Sequence, residues 1–235
     1  MLARLLSGGW PDDARLLVQL PRLRRLTSAR PLTGACLNAG AGEGLYAPFL
    51  ESFDGITAIN HVDVDRPAIS SKRPDPRHRD FAGSLTGLPF GDAAFDCCLC
   101  TEVLEHIQDD DRALGELARV IKPGGLLLMS VPMPPAPFDP AHAREGYTLS
   151  DLTAKLSRHG FTVEAHTVCF HLFMRLLLRI WRWQYATLGR SRTSRMPRAI
   201  VLAFGWLDRA LPIGKPWDVI VLARRGVHPS GAAAL

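Results

Sequence analysis

The stretch Cys36-Leu-Asn-Ala-Gly-Ala-Gly-Glu-Gly44 decides the fold class of this chain. Its glycines, Gly40, Gly42 and Gly44, stand between an apolar run at residues 32–38 and a helix-like segment at residues 44–52. Glycine adopts backbone conformations that other residues avoid and lets a ligand approach the main chain, while a helix N-terminus offers unpaired N–H groups. The stretch therefore predicts a strand, a glycine turn and a helix that bind a small ligand. A nicotinamide-binding loop is similar, but its G-x-G-x-x-G form places the third glycine one residue later.

An acidic residue follows this loop at a distance that suits ligand binding. Asp63 comes nineteen residues after Gly44, at the end of a second predicted strand, residues 56–62. A carboxylate at that position can accept hydrogen bonds from both hydroxyls of a ribose. Asp65 is the alternative, and a solvated aspartate at a strand end would give the same pattern.

Strand-like and helical segments alternate along the rest of the chain. Further strands are expected at residues 78–81, 95–101, 126–131, 161–168 and 218–223, with helices at 109–122 and 148–159. A helix is also expected at residues 12–28, where Pro21 would break or kink it. This alternation predicts the α/β class, with a doubly wound, mostly parallel sheet flanked by helices.

Composition sets limits on the partners and the compartment. The 235 residues suit one large α/β domain, and the net charge of +5 permits an anionic partner without requiring one. No nucleic acid partner is expected, because no aromatic platform accompanies the basic residues. The spacing of Cys97, Cys98 and Cys100 does not suit a zinc knuckle, so we expect buried free thiols and no metal site. With neither a signal peptide nor a spanning segment evident, a cytoplasmic protein is expected.

Three more segments complete a specific combination with the glycine loop. They are Gly83-Ser-Leu-Thr-Gly-Leu-Pro-Phe-Gly-Asp-Ala-Ala-Phe-Asp96, Thr101-Glu-Val-Leu-Glu-His-Ile107 and Glu116-Leu-Ala-Arg-Val-Ile-Lys-Pro-Gly-Gly125. In this order and spacing the chain resembles class I S-adenosylmethionine-dependent methyltransferases of the methyltransferase-11 type, over about residues 32–168 and again in the last strand. The resemblance implies a Rossmann-like sheet of seven strands whose last strand is antiparallel, with S-adenosylmethionine bound at the C-terminal ends of the first strands.

The resemblance also implies a set of residues that contact S-adenosylmethionine: Asn38, Gly40, Gly42, Gly44, Asp63, Ser84, Leu85 and Thr101. In this assignment the glycines pass beneath the methionine and ribose, and Asp63 holds the ribose hydroxyls. Ser84 and Leu85 lie by the adenine, and Thr101 lies near the sulfonium.

Two of these positions depart from the family. An acid usually stands where this chain has Asn38, and an aspartate commonly stands where it has Ser84. Because hydrogen bonds to charged groups are the stronger ones, each change could weaken cofactor binding by about 1 kcal/mol. These departures keep open a non-catalytic cofactor-binding or partner protein of the same fold. A nicotinamide-dependent oxidoreductase is the other alternative, against which the early third glycine argues.

Two histidines are candidates for the chemistry. His106 belongs to a Glu105-His106 pair that matches the family's and that we interpret as mainly organising a helix start. His142 opens the segment His142-Ala-Arg-Glu-Gly-Tyr-Thr-Leu-Ser-Asp-Leu152, which is similar to one in several methyltransferases of glycan or small-molecule biosynthesis. A hydroxyl acceptor must lose a proton, and His142 or His106 could take it. A histidine that only holds its loop would give the same sequence, and the pattern does not distinguish O-, N- and C-methylation.

An insertion of about fifty residues separates the last two predicted strands. The predicted organisation is an N-terminal helical segment at 1–31, the methyltransferase domain at 32–168 and 216–226, and a helical insertion at 169–215. Arg175, Arg179 and Arg182 share one face of its first helix. We favour a cap over the acceptor site, and leave open a dimer contact or peripheral membrane contact through residues 169–211 near a lipid-linked acceptor.

Overall fold

The computed structural model describes residues 11–134, 142–188 and 196–227. Within these ranges seven strands form one sheet, in the order β3-β2-β1-β4-β5-β7-β6. The strands are β1 (Gly34–Ala39), β2 (Ile56–Asp63), β3 (His78–Ala82), β4 (Phe95–Thr101), β5 (Ile121–Pro132), β6 (Phe161–Cys169) and β7 (Asp218–Arg225). Strands β1 to β5 pair in parallel, and β7 pairs antiparallel with both β5 and β6. The predicted Rossmann-like, mostly parallel sheet with an antiparallel last strand is confirmed.

The central strands are buried on both faces, as parallel strands covered by helices usually are. In β4, Cys97, Cys98, Leu99 and Cys100 are all buried. All five cysteines of the chain are free and buried, so the prediction of buried thiols is confirmed.

Helices cover the two faces of the sheet. They are α1 (Pro11–Thr27), α2 (Ala47–Glu51), α3 (Asp110–Val120), α4 (Leu149–Arg158), α5 (Leu172–Leu188) and α6 (Arg198–Ala210), with 3₁₀ helices at Ser70–Lys72 and Leu104–His106. Helices α3 and α4 bury their leucines on one face, and α1, α2, α5 and α6 cover the other. Asp109 caps α3 through the N–H of Arg112 at 3.0 Å, and Thr148 caps α4 through the N–H of Asp151 at 3.1 Å.

One expected helix boundary was wrong, and one expected helix break is absent. Strand β5 begins at Ile121 directly after α3, so the helix predicted to reach Lys122 ends two residues earlier. Ile121 is buried and pairs with Phe95, which draws the chain into the sheet before the Pro-Gly-Gly sequence. Helix α1 continues through Pro21 instead of ending there. Its buried positions on both sides of the proline, Val18 and Leu23, hold the two halves against the same core.

The insertion leaves and re-enters the sheet at one edge. Pro132 of β5 pairs with Asp218 of β7, which also pairs with Cys169 at the end of β6. Because β6 is parallel to β5, this edge is the one at which β1, β4 and β5 end. Helix α6 packs against α1, where a Cβ on Gly205 would lie 3.0 Å from Cα of Ala14. Parts of the predicted segments 1–31 and 169–215 lie outside the described residues. Among the helices that are described, none is long and apolar enough to cross a bilayer.

Candidate cofactor and acceptor site

The three glycines of the loop after β1 meet different surroundings. Gly40, Gly42 and Gly44 all have positive φ, at 69°, 49° and 82°. A Cβ on Gly40 would lie 2.3 Å from Cγ2 of Val103, and one on Gly44 would lie 2.9 Å from Cγ1 of Ile69. A Cβ on Gly42 would meet no atom within 4 Å. Packing therefore requires glycine at positions 40 and 44, whereas Gly42 presents its main chain to open space that a ligand can occupy.

Asp63 lies directly beside this open position. Its Oδ2 accepts a hydrogen bond from the N–H of Gly42 at 2.8 Å, and its Oδ1 accepts one from the N–H of Val64 at 2.8 Å. The two bonds fix the carboxylate, and each oxygen keeps a second acceptor position for a ribose hydroxyl. The glycine loop and Asp63 thus form a cradle whose donors, acceptors and free space fit the ribose part of S-adenosylmethionine.

The remaining predicted cofactor residues lie along the same edge of the sheet. Thr101 follows Cys100, the register partner of Ala39, and so ends its strand beside the glycine loop. The N–H of Gly83 donates to the main-chain oxygen of Asp63 at 2.8 Å, which ties the next turn to the cradle. In that turn Ser84 is exposed and bonds Thr86 at 2.9 Å, while Leu85 is buried in the core. Contacts of these residues with an adenine or a sulfonium stay predictions.

Asn38 belongs to a buried chain of hydrogen bonds. Its Nδ2 lies 2.9 Å from Nδ1 of His61, Nε2 of His61 lies 2.7 Å from Nδ1 of His78, and Nε2 of His78 lies 2.7 Å from Oε1 of Glu51. Burial, followed by the nearness of His78, lowers the pKa of His61 to about 4. Glu51 ends the chain in an ion pair with Arg73.

This series of hydrogen bonds gives a physical reason why position 38 has an asparagine instead of the acid that is usual in the family. The amide nitrogen of Asn38 can only donate, so Nδ1 of a neutral His61 accepts, and each imidazole then donates onward toward Glu51. An aspartate at position 38 would face the acceptor nitrogen of His61 with a second acceptor. Asn38 therefore matches a neutral, buried histidine, which weakens it as evidence for a non-catalytic protein.

The two candidate catalytic histidines lie together. The rings of His106 and His142 are 4.7 Å apart and meet edge to face at 80°, and Nε2 of His106 lies 3.8 Å from Oε1 of Glu105. The N–H of Ala143 donates to the main-chain oxygen of Glu105 at 2.8 Å, which holds the loop of His142 against the 3₁₀ helix. The cluster begins four residues after Thr101, the residue assigned to the sulfonium end.

Comparison with known proteins identifies the domain. Residues 37–129 match the sequence model of a family described as a methyltransferase domain. A probable S-adenosylmethionine-dependent methyltransferase of Mycolicibacterium smegmatis is 33% identical over 147 residues, which are 57% of this chain and 54% of the relative. Residues 37–129 therefore carry a methyltransferase domain, and its sequence is similar to that of S-adenosylmethionine-dependent methyltransferases. The chain spans about half the length of the curated relatives it matches, 54% and 51% for the first two.

Solved structures show the same fold for this methyltransferase domain. An S-adenosylmethionine-dependent methyltransferase from Mesorhizobium loti aligns with a TM-score of 0.59 at 18% identity, over 88% of this chain and 98% of that one. A 1,6-didemethyltoxoflavin-N1-methyltransferase from Burkholderia thailandensis, solved with S-adenosylhomocysteine and its acceptor, aligns with a TM-score of 0.58 at 21% identity. That alignment covers 88% of this chain and 77% of the other.

A second carboxylate, which was not predicted from the sequence, stands at the site of the methyltransferase domain. Glu102 follows Thr101 with φ at 54°, a left-handed conformation that is uncommon outside glycine and often marks functional sites. Its Oε1 accepts a hydrogen bond from Oγ of Ser130 at 2.6 Å, and its Oε2 lies 4.0 Å from Nη2 of Arg15 in α1. Only its place in the Thr101–Ile107 motif could have drawn attention to it.

Behind Glu102 a buried acid links the N-terminal helix to the last strand. Oδ2 of Asp218 accepts hydrogen bonds from Nε2 of Gln19 at 2.6 Å and from Sγ of Cys169 at 3.2 Å. Burial raises the pKa of Asp218 well above its ordinary value. Helix α1 and the insertion therefore meet at a polar contact beside the methyltransferase site.

Proposed function

We propose that the protein transfers the methyl group of S-adenosylmethionine to a small-molecule or glycan-type acceptor. The observation that carries this proposal is the cradle in which Asp63 accepts from the N–H of Gly42 beside open space. S-adenosylmethionine, when bound, supplies an electrophilic methyl group on a sulfonium. The protein would hold the ribose through Asp63 and leave the space above Gly42 open for the cofactor.

The acceptor would enter from the side of the histidine cluster. Transfer from a sulfonium is an in-line displacement, so much of the rate comes from positioning the acceptor atom. The contact between His106 and His142, shortly after the end of β4, supports them as the groups that take the proton of a hydroxyl acceptor. Glu102 and Arg15 add a charged pair at the same edge that can hold polar groups of the acceptor. The insertion leaves and re-enters the sheet at this edge, where Asp208 near the end of α6 accepts from the N–H of His171 just before α5. This placement supports a role for residues 169–215 in covering the acceptor.

A calorimetric titration with S-adenosylmethionine, S-adenosylhomocysteine and NADH tests the proposal. We expect micromolar binding of the first two and none of NADH. Asp63→Ala should weaken binding by about tenfold or more, because charge-assisted hydrogen bonds to the ribose are lost. Asp65→Ala is the matched control, since Asp65 is exposed and two residues away. Failure of the wild-type protein to bind S-adenosylmethionine would favour the non-catalytic alternative, and normal binding by Asp63→Ala would refute the assignment of the ribose.

The outer face of α5 supports a further proposal, that the protein lies on an anionic membrane surface near a lipid-linked acceptor. Leu172, Leu176, Ile180 and Trp183 follow one another at one-turn spacing and are all exposed, Trp183 by 64%. Arginines at positions 175, 179 and 182 flank this stripe. An apolar stripe with tryptophan beside a basic flank is typical of helices that lie in a membrane interface.

Vesicle flotation tests whether the exposed stripe of α5 binds a membrane surface or another partner. We expect binding to phosphatidylcholine vesicles only when phosphatidylglycerol is added, and weaker binding at high salt because the arginine contribution is screened. The double substitution Ile180→Glu and Trp183→Glu should abolish it. Val227→Glu is the control, since Val227 is equally exposed, at 72%, outside the insertion. Absence of vesicle binding, together with a dimer that the double variant dissociates, would assign the stripe to a second copy of the chain.

A further inference from the structure

Three potential metal ligands converge beside the site. A carboxylate oxygen of Glu105 and one ring nitrogen each from His106 and His142 all lie within 4.8 Å of one another. No metal site was expected from the sequence, because the cysteine spacing does not suit zinc and His142 is 36 residues from His106. The fold brings them together because β4 and β5 are neighbours whose C-terminal ends lead into the two segments.

The positions of these ligands are fixed by the surrounding backbone. Ala143, next to His142, donates its N–H to the main-chain oxygen of Glu105 at 2.8 Å. Nη2 of Arg144 lies 3.0 Å from the main-chain oxygens of both Ile107 and Gln108. These bonds hold the residues that follow His142 against the 3₁₀ helix and the residues after it, which keeps the two histidines near each other. Ligand atoms around tetrahedral zinc are about 3.4 Å apart, given Zn–N and Zn–O bonds of about 2.1 Å.

We infer that Glu105, His106 and His142 form a binding site for a divalent transition-metal ion, best matched by Zn²⁺. Two imidazoles and one carboxylate are a donor set that catalytic zinc sites use, with a fourth position left for water or substrate. The ligands also differ in exposure, with one side of the cluster buried and the other open to solvent. The carboxylate of Glu105 is 1% exposed, whereas the ring of His106 is 38% exposed. The fourth position would therefore face outward, toward the incoming acceptor.

A second group of possible ligands does not qualify. Glu51, Asp75 and His78 also have ligand atoms within 4.8 Å of one another. Arg73 pairs with Glu51, and Arg77 pairs with Asp75 at 2.7 Å, so both carboxylates are already neutralised by guanidinium groups. His78 is joined on its other nitrogen to His61. A cation there would have to displace both arginines.

The role of the ion rests on the proposed function. With both imidazoles bound to the ion, a hydroxyl of the acceptor in the fourth position would lose its proton to water instead of to a histidine, because a metal lowers the pKa of a bound oxygen. That oxygen would then form a bond to the methyl carbon while the carbon–sulfur bond breaks. The electron pair of the broken carbon–sulfur bond would stay on the sulfur of S-adenosylhomocysteine. The site would thus favour O-methylation over N-methylation.

Metal titration of the full chain, purified without a histidine tag and treated with EDTA, tests the site. We expect one equivalent of Zn²⁺ to bind by calorimetry, and Co²⁺ to give visible absorption of nitrogen and oxygen ligands without a thiolate band. His106→Ala and His142→Ala should each weaken Zn²⁺ binding by about tenfold or more, because each removes a direct ligand. His166→Ala, an exposed histidine on β6, should leave it unchanged.

The outcomes separate the metal site from the methyltransferase assignment. No stoichiometric binding, binding that survives in both histidine variants, or a cobalt–thiolate band would overturn the site. Titration of the same variants with S-adenosylmethionine should give wild-type affinity, since they lie outside the Gly42–Asp63 cradle. Zinc binding in a wild-type protein that does not bind S-adenosylmethionine would instead keep the metal site and refute the proposed function.

Discussion

At the scale of single residues, the site depends on which polar group faces which. Asn38 donates to a neutral His61, and Asp63 accepts from Gly42, so two of the positions predicted to contact the cofactor are set by complementary hydrogen bonds. The glycine loop and Asp63 could be predicted because they form a contiguous motif with fixed spacing. His61, His78 and Glu51 could not, because their link to Asn38 depends on the register of three strands and one helix. The same holds for Arg15 and Glu102, which are 87 residues apart.

The buried histidine predicts a stability that depends on pH. His61 has a folded pKa of about 4, below the ordinary value of 6.5, so the unfolded chain binds the extra proton between these values. The free energy of unfolding should therefore fall as pH drops below about 6.5, with His61 contributing about 2 kcal/mol between pH 7 and pH 5. Urea denaturation at these pH values measures it. His171, whose pKa burial also lowers, adds to the same trend.

His61→Asn isolates the share of His61 in that pH dependence. The variant should lose part of the slope between pH 7 and pH 5, whereas His166→Ala, an exposed control, should keep the wild-type slope. An unchanged slope in His61→Asn would show that His61 is not neutral in the folded protein.

Replacing a loop glycine with valine should have a different effect at each of two positions: loss of cofactor binding at Gly42 and a larger loss of stability at Gly40. Gly42→Val fills the open space beside Asp63, so it should abolish binding of S-adenosylmethionine while costing about 1–2 kcal/mol for the left-handed conformation. Gly40→Val meets Val103 as well, so its thermal stability should fall further. Thermal denaturation and calorimetry of the two variants measure the contrast. Normal titration of Gly42→Val would place the ligand elsewhere.

At the scale of elements, helices and strands were predictable where local signals agree, and not where packing overrides them. Helix α4 begins at a threonine cap and β4 is a continuous apolar run, so both lie close to where the sequence places them. Pro21 is a local signal for a break, but Val18 and Leu23 bury α1 on both sides of it. The contact of α1 with α6 has no local signal, since it joins small residues nearly two hundred positions apart.

That helix contact predicts a large effect of one small side chain. A Cβ on Gly205 would lie 3.0 Å from Cα of Ala14, so Gly205→Val should push α6 away from α1 and lower the free energy of unfolding by about 1–3 kcal/mol. Ala203→Val is the control on the exposed side of the same helix. Urea denaturation compares the two, and equal stabilities would mean that the helices do not approach this closely in solution.

At the scale of the whole molecule, every candidate group lies along one edge of the sheet. Strands β1, β2 and β4 bring the glycine loop, Asp63 and Thr101 there, and the insertion starts and ends there. The alternation of strands and helices predicts this convergence in general terms, because parallel strands end at a common edge. It does not predict that α1 and the insertion together border the site, because their mutual packing is a property of the assembled core.

The position of β7 has a consequence for how the protein is made. Strand β7 follows both of its neighbours in the sequence but lies between them in the sheet, so during synthesis β5 and β6 expose unpaired edges until residues 218–225 emerge. Unpaired edges invite pairing with other chains. Asp218, which joins Gln19 of α1, follows its partner by 199 residues and so becomes available equally late. Removal of residues 218–225 should therefore lower the solubility of the nascent chain as well as the stability of the folded one.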